Sequence, residues 1–255
     1  MKIIVNILCL VCILFNLFVM NPISAQEITP LKIGDTTRRI IEPTFTIDGQ
    51  PNIASKTNLH KLLFPSHNAK LEFFIYDSQK GPSGFSFEDP LDGDYTLLNV
   101  LWISNWNEVN KDLETELPLK SFRGTEIRTR SKKESTEDGA FNKKQINKRN
   151  KRALERYEIG AASVEISRNF ANYLYSNSVN FLSDHVDPEE QVKSYGGHHF
   201  TFRCVVAHEV WTLSGKPYSA IFKNLTDIYY RLVKEVRNIG EITDEAVYIR
   251  QLKEL

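Results

Sequence analysis

The stretch Asn142–Leu182, NKKQINKRNKRALERYEIGAASVEISRNFANYLYSNSVNFL, decides how the chain divides. It opens as a basic arm. Lys143, Lys144, Lys148, Arg149, Lys151, Arg152 and Arg156 stand there against a single acid, Glu155. Only Ile146, Ala153 and Leu154 are apolar in that part. Beyond it, Ile159, Ala162, Ile166, Phe170, Tyr173, Leu174 and Phe181 recur at helical spacing and make one apolar stripe. Leu154, Tyr157, Ala161 and Val164 widen it on one flank. The pattern predicts a long amphipathic helix that changes character near Arg156–Gly160. Its charged start is loosely held and its continuation faces a core. Gly160 costs about 1 kcal/mol relative to Ala inside a helix, so it marks a close contact or a kink.

Working outward towards the N-terminus, Ser131–Gly139 (SKKESTEDG) is charged and lacks large apolar groups. Such a segment buries too little to repay its ordering entropy, which predicts a mobile linker. Before it, the chain reads mainly as strands. Leu71–Tyr76 (LEFFIY) and Tyr95–Trp106 (YTLLNVLWISNW) are apolar and strand-like, and Leu117–Arg130 reads as a fading edge strand. Thr44–Ile47 alternates and runs into Asp48-Gly49, a turn signal. Asn58–Phe64 reads as a short helix ended by Pro65. The acidic turn Glu88–Asp94 lacks the regular ligand spacing of a calcium loop and reads as a solvated turn.

Towards the C-terminus, Pro188 followed by two acids suggests the first turn of a short helix. His198–Leu213 (HHFTFRCVVAHEVWTL) reads as one long strand, or two consecutive strands sharing a bend. Tyr218–Asn238 carries a helical stripe, and Thr243 is the expected N-cap of a last helix. The fold class expected is therefore α+β. A mainly β N-terminal half precedes a long amphipathic helix packed on a sheet, with C-terminal helices after it. The expected divisions are 1–25, 26–130, a charged linker and basic arm at 131–156, and an α+β unit at 157–255.

Residues 1–25 read as a secretory signal peptide. Lys2 is their only charge, an apolar run follows, and small residues precede Gln26, which predicts cleavage after Ala25. An uncleaved anchor or a lipoprotein are the competing readings. The formal net charge of the whole chain is zero. Removal of the leader takes Lys2 with it and leaves one basic residue fewer than acidic. There is no global pull towards nucleic acid or membrane, so any attraction is local. Only Cys204 remains of the cysteines, which leaves no internal disulfide in an exported chain. The expected location is the periplasm, the cell envelope or the outside of the cell. No membrane span is expected after cleavage.

Leu31–Thr37 (LKIGDTT) and Thr44–Pro51 (TFTIDGQP) resemble the opening of secreted thioredoxin-like proteins. No Cys-x-x-Cys follows, so the redox chemistry that the resemblance would imply has no residues to carry it.

For chemistry, no G-x-S-x-G, glycine-rich phosphate loop or glycine-rich dinucleotide motif occurs, and no cofactor is implied. His208-Glu209 is not the start of an H-E-x-x-H motif, because Thr212 stands where the second histidine belongs. His198, His199 and His208 are the candidate metal ligands, and Gly196-Gly197 would let a ligand approach the first two. Cys204 reads as a small buried hydrophobe. The candidate binding residues are Lys143, Lys144, Lys148, Arg149, Lys151 and Arg152. They suit other envelope proteins or an anionic surface. Nucleic acid is a weaker fit, since aromatic residues do not interleave the cations. The reading is an exported, non-enzymatic protein that works by protein–protein contact. An accessory part of a secretion or conjugation assembly is one such role. A ligand- or metal-binding module at His198/His199, and a hydrolase without a recognisable motif, are the alternatives.

Overall fold

The computed structural model describes residues 38–44, 56–66, 69–88, 93–120, 132–184, 198–216 and 220–255. Seven strands form one antiparallel sheet: β1 (Arg38–Pro43), β2 (Leu71–Asp77), β3 (Gly81–Phe87), β4 (Tyr95–Ile103), β5 (Ile159–Ser167), β6 (His199–Val206) and β7 (Glu209–Gly215). Their order across the sheet is β1-β7-β6-β2-β3-β4-β5. The described helices are α1 (Asn58–Leu63), α2 (Trp106–Glu116), α3 (Lys132–Arg156), α4 (Arg168–Asp184), α5 (Ala220–Ile239) and α6 (Glu245–Lys253). The α+β class is as the sequence indicates. The sheet draws on both sides of the 131–156 division, because β6 and β7 lie between β1 and β2.

Two layers of helix enclose the middle of the sheet. On one face, Leu71, Phe73, Ile75, Phe85, Leu98, Val100 and Phe202 meet α4, α5 and α6 in the main core. Helix α5 buries Phe222, Leu225, Tyr229, Leu232, Val233 and Val236 there. The Tyr229 hydroxyl donates to the Leu174 carbonyl at 2.5 Å and shares a 2.8 Å bond with Ser178, which locks α5 to α4. On the other face, Leu63, Phe64, Phe74, Ile103 and Trp106 form a smaller cluster beneath α1 and α2. Strand β2 is thus covered on both sides, which is why LEFFIY reads as a nearly continuous apolar run.

The stripe that decided the sequence reading is divided between a strand and a helix. Ile159–Ser167 is β5, paired with β4 from Ile159↔Ile103 to Ser167↔Tyr95. Gly160, Ala162, Val164 and Ile166 face the core with a period of two, while Ile159 is 46% exposed. Ala162 and Ile166 fit both periods, so the pattern is ambiguous there. Packing decides it. A Cβ on Gly160 would lie 2.3 Å from the Trp102 ring of the paired strand, so β5 needs glycine at that position. The helix begins only at Arg168. The Ser167 hydroxyl accepts from the Phe170 amide at 3.1 Å, an N-cap bond.

Other expectations shift as well. Lys132–Gly139, expected as a mobile linker, forms the first turns of α3. Its ordering is repaid by the preceding segment. Asn142 brackets the Lys120 backbone with bonds of 2.9 and 3.0 Å, and Asp138 pairs with Lys120 at 2.7 Å. His198–Leu213 is two consecutive strands rather than one, joined by a full reversal rather than a bend. It is a hairpin that reverses at Ala207-His208, with Ala207 at φ 55° and no glycine or asparagine to announce the turn. Asp244, not Thr243, caps α6 by accepting from the Ala246 amide at 2.8 Å. Of the edge strand expected at Leu117–Arg130, Leu117–Lys120 is not a strand and residues 121–130 lie outside the described residues. The leader, the strand at 45–47, the Asp48-Gly49 turn and the Pro188 helix lie outside the described residues.

Candidate functional site

The basic arm is the C-terminal part of α3, a 25-residue helix of about 37 Å. One side of it lies along α2. Ala153 is buried with Val109, Leu113 and Leu117, and Tyr157 packs against that cluster. Arg149 donates from Nε to the Leu117 carbonyl at 2.7 Å. Arg152 and Arg156 converge on Glu116 at 3.1 and 2.6 Å. The Arg156 contact, then the charge of Arg152, holds the Glu116 carboxyl below its ordinary range. Two of the six candidate residues, Arg149 and Arg152, are therefore structural tethers.

The other four point away. Lys143, Lys144, Lys148 and Lys151 spread over an arc of about 140° that begins about 80° round the helix from Ala153, with exposed Asn147 among them. Among the described residues, none of these four lysines makes an ion pair. Ile146 lies exposed at 42% and Phe141 at 38% on the same helix. Apart from Ala153, this helix has no fully buried residue along its arm.

A second concentration of charge is hidden. Glu72 on β2 is fully buried. Lys56 Nζ reaches its carboxylate at 2.8 Å, Arg203 Nη1 at 3.0 Å and His60 Nε2 at 3.0 Å. Lys56 also donates to the Phe64 and Ser66 carbonyls at 2.7 and 2.8 Å. The geometry follows from local structure. Thr57 caps α1 by accepting from the His60 amide at 3.2 Å, which turns His60 inward to stack on Phe74 at 4.7 Å. Arg203 on β6 sits in register with Glu72 on β2. Burial alone would raise the Glu72 pKa, but the His60 bond and the Arg203 and Lys56 charges together outweigh it and hold it down. Burial pushes His60 down, against the pull of Glu72, so its imidazole is neutral. Burial likewise lowers Lys56, with Glu72 opposing. Sequence reasoning missed this cluster. A lone Glu inside LEFFIY and a lone Arg inside FTFRCVV were its only signals.

The three candidate metal ligands do not converge. His198 Nδ1 lies 3.6 Å from Asp77, whose carboxylate also accepts from Tyr230 at 2.9 Å. His199 is paired with Tyr76 at one end of the hairpin, and burial lowers its pKa. His208 is exposed in the turn at the other end, about 23 Å away at the rise of strand β6. Among the described residues no group of three or more metal-ligating side chains gathers. Cys204 is fully buried, and burial pushes its thiol up, away from nucleophilic thiolate.

A hollow of about 490 Å³ opens where the start of α2 meets the C-terminal half of α5 and the β2–β3 turn. Among the described residues, Lys80, Lys234 and Arg237 line it, with one carboxylate, Glu108, and no histidine. Lys234 lies 3.8 Å over the Tyr230 ring, and Arg237 lies 5.5 Å over the Trp102 ring. Burial, then the nearby Lys80 charge, lowers the Lys234 pKa.

Among the described residues, no helix is long and apolar enough to cross a membrane. The chain matches no model of a protein family, no curated protein and no solved structure.

Proposed function

We propose that this chain is an exported, non-catalytic component of the cell envelope that acts by protein–protein contact. The lysine face of α3 is its docking surface, and the partner is an acidic envelope protein. One observation carries this reading. Lys143, Lys144, Lys148 and Lys151 project together from a helix whose opposite side is tied down by Arg149, Arg152 and Ala153. A helix polar on all sides gains little from burial, so a long one held out on one side suits contact with something else. The density of positive charge favours an acidic surface and fast encounter. An accessory place in a secretion or conjugation assembly agrees with the expected leader and with this surface. Reversing the four lysines to glutamate tests it. Co-purification of partners with the wild-type chain from its own envelope fraction should be lost in the variant while the fold is kept. Unchanged co-purification sinks the reading.

A further inference from the structure

We propose that the hollow between α2, α5 and the β2–β3 turn is a binding site for a small phosphate-bearing anion. This site is distinct from the lysine face and does not depend on it. Its volume of about 490 Å³ falls in the range of small-molecule sites. Three cations from two separate elements line it. Lys80 comes from the turn between Asp77 and Gly81, and Lys234 and Arg237 come from α5. Among the described residues Glu108 alone opposes them, so their lining carries an excess of two positive charges.

The cations are held in place by neighbouring groups. Asp77 fixes the turn by accepting from the Gln79 and Lys80 amides at 2.8 and 3.1 Å. The Tyr230 ring lies under Lys234 and the Trp102 ring under Arg237. Lys80 and Lys234 are close enough for the first to oppose protonation of the second, a repulsion that an anion between them would relieve. The start of α2 faces the same space through Asn105, Trp106, Asn107 and Glu108. The Asn105 side chain does not cap that helix. It donates to the Arg156 carbonyl and accepts from the Glu158 amide, each at 3.0 Å. The first-turn N–H groups lack intrahelical acceptors and add to the attraction for an anion. A guanidinium and two ammonium groups around one space suit phosphate oxygens.

The test is titration of the full chain with pyrophosphate at physiological ionic strength, followed by calorimetry and amide NMR. The expected result is saturable binding that moves the Trp106–Glu108 amides. Lys80→Ala and Lys234→Gln should each weaken it about tenfold. Lys80→Ala touches only an exposed turn residue, so loss of fold does not confuse its result. No saturable binding overturns the proposal. So does binding that leaves these amides still and moves those of Lys143–Lys151, because the anion would then be held by the exposed charge of α3.

Discussion

Two regions of this molecule concentrate positive charge, and they do opposite things with it. Around Glu72, Lys56 and Arg203 are sealed under α1 and every close contact is spent inside the fold. On α3, Lys143, Lys144, Lys148 and Lys151 are exposed and, among the described residues, unpaired. The first cluster is coupled to stability, because an unpaired charge cannot stay buried without cost. The second is coupled to nothing within the described fold and is free for an outside partner. Burial sets Lys56 and Arg203 apart from the four lysines, whereas along α3 it is the pairing with Glu116 that sets exposed Arg152 apart from them.

The comparison breaks most readily at Glu72. Glu72→Ala leaves Lys56 and Arg203 buried without their counter-ion and should destabilise the chain by about 3–5 kcal/mol. Urea unfolding measures it, and a loss under about 1 kcal/mol would mean that the cluster is not sealed. Replacing Lys56, His60, Glu72 and Arg203 together by Met, Phe, Leu and Met should recover most of that loss, since a well-packed apolar set often matches a buried ionic one.

A second test concerns the strand that the sequence disguised. In a helix, Gly160→Ala would stabilise by about 1 kcal/mol. In β5 the added Cβ meets the Trp102 ring, and the same change should destabilise by about 1–3 kcal/mol. The sign of the shift in unfolding midpoint decides between them.

The pH dependence is smaller and comes from the buried cluster. The folded pKa of His60 is depressed, so protonation favours unfolding. Its contribution is complete above the unfolded value of about 6.5 and is lost as pH falls below it. Glu72 is also depressed and adds a further loss below about pH 4.3, with the same sign. The His60 and Glu72 contributions should therefore be complete by about pH 7, with stability declining from about pH 6.5 downwards. His60→Gln should flatten the part between pH 7 and 5. His199, also depressed, keeps some of the slope.

The smallest effect on the fold is expected at the other pole. Glutamate at Lys143, Lys144, Lys148 and Lys151 should move the melting midpoint by no more than about 2 °C. A larger drop would show that these lysines are structural after all.

The α+β class, the strand at Leu71–Tyr76, the strand read at Tyr95–Trp106 (which ends at Ile103, with Trp106 opening α2) and the helix around Tyr218–Asn238 were legible because burial on one or two faces writes a clear period into the residues. The β5–α4 junction was not, because Ala162 and Ile166 satisfy both periods. The arbiters, Trp102 against Gly160 and the Ser167 cap, are a contact and a bond that spacing does not show. The basic arm was legible as charge. Which cations are tethers was not, since Glu116 and the Leu117 carbonyl lie more than 30 residues away. The Glu72 cluster was hidden for the same reason. Arg203 is 131 residues from its partner. The hollow has no sequence signal, as Lys80, Arg237 and Asn105 come from separate elements.

The central claim, that the lysine face of α3 is where this protein meets its partner, is tested most directly by photo-crosslinking in the native cells. A photoreactive residue at Asn147, amid the four lysines, is compared with one at exposed Ala161 on strand β5. A discrete adduct from Asn147, none from Ala161, and loss of the Asn147 adduct when the four lysines are reversed is the predicted result. The same adduct surviving reversal, or no adduct from Asn147 at all, would contradict the account.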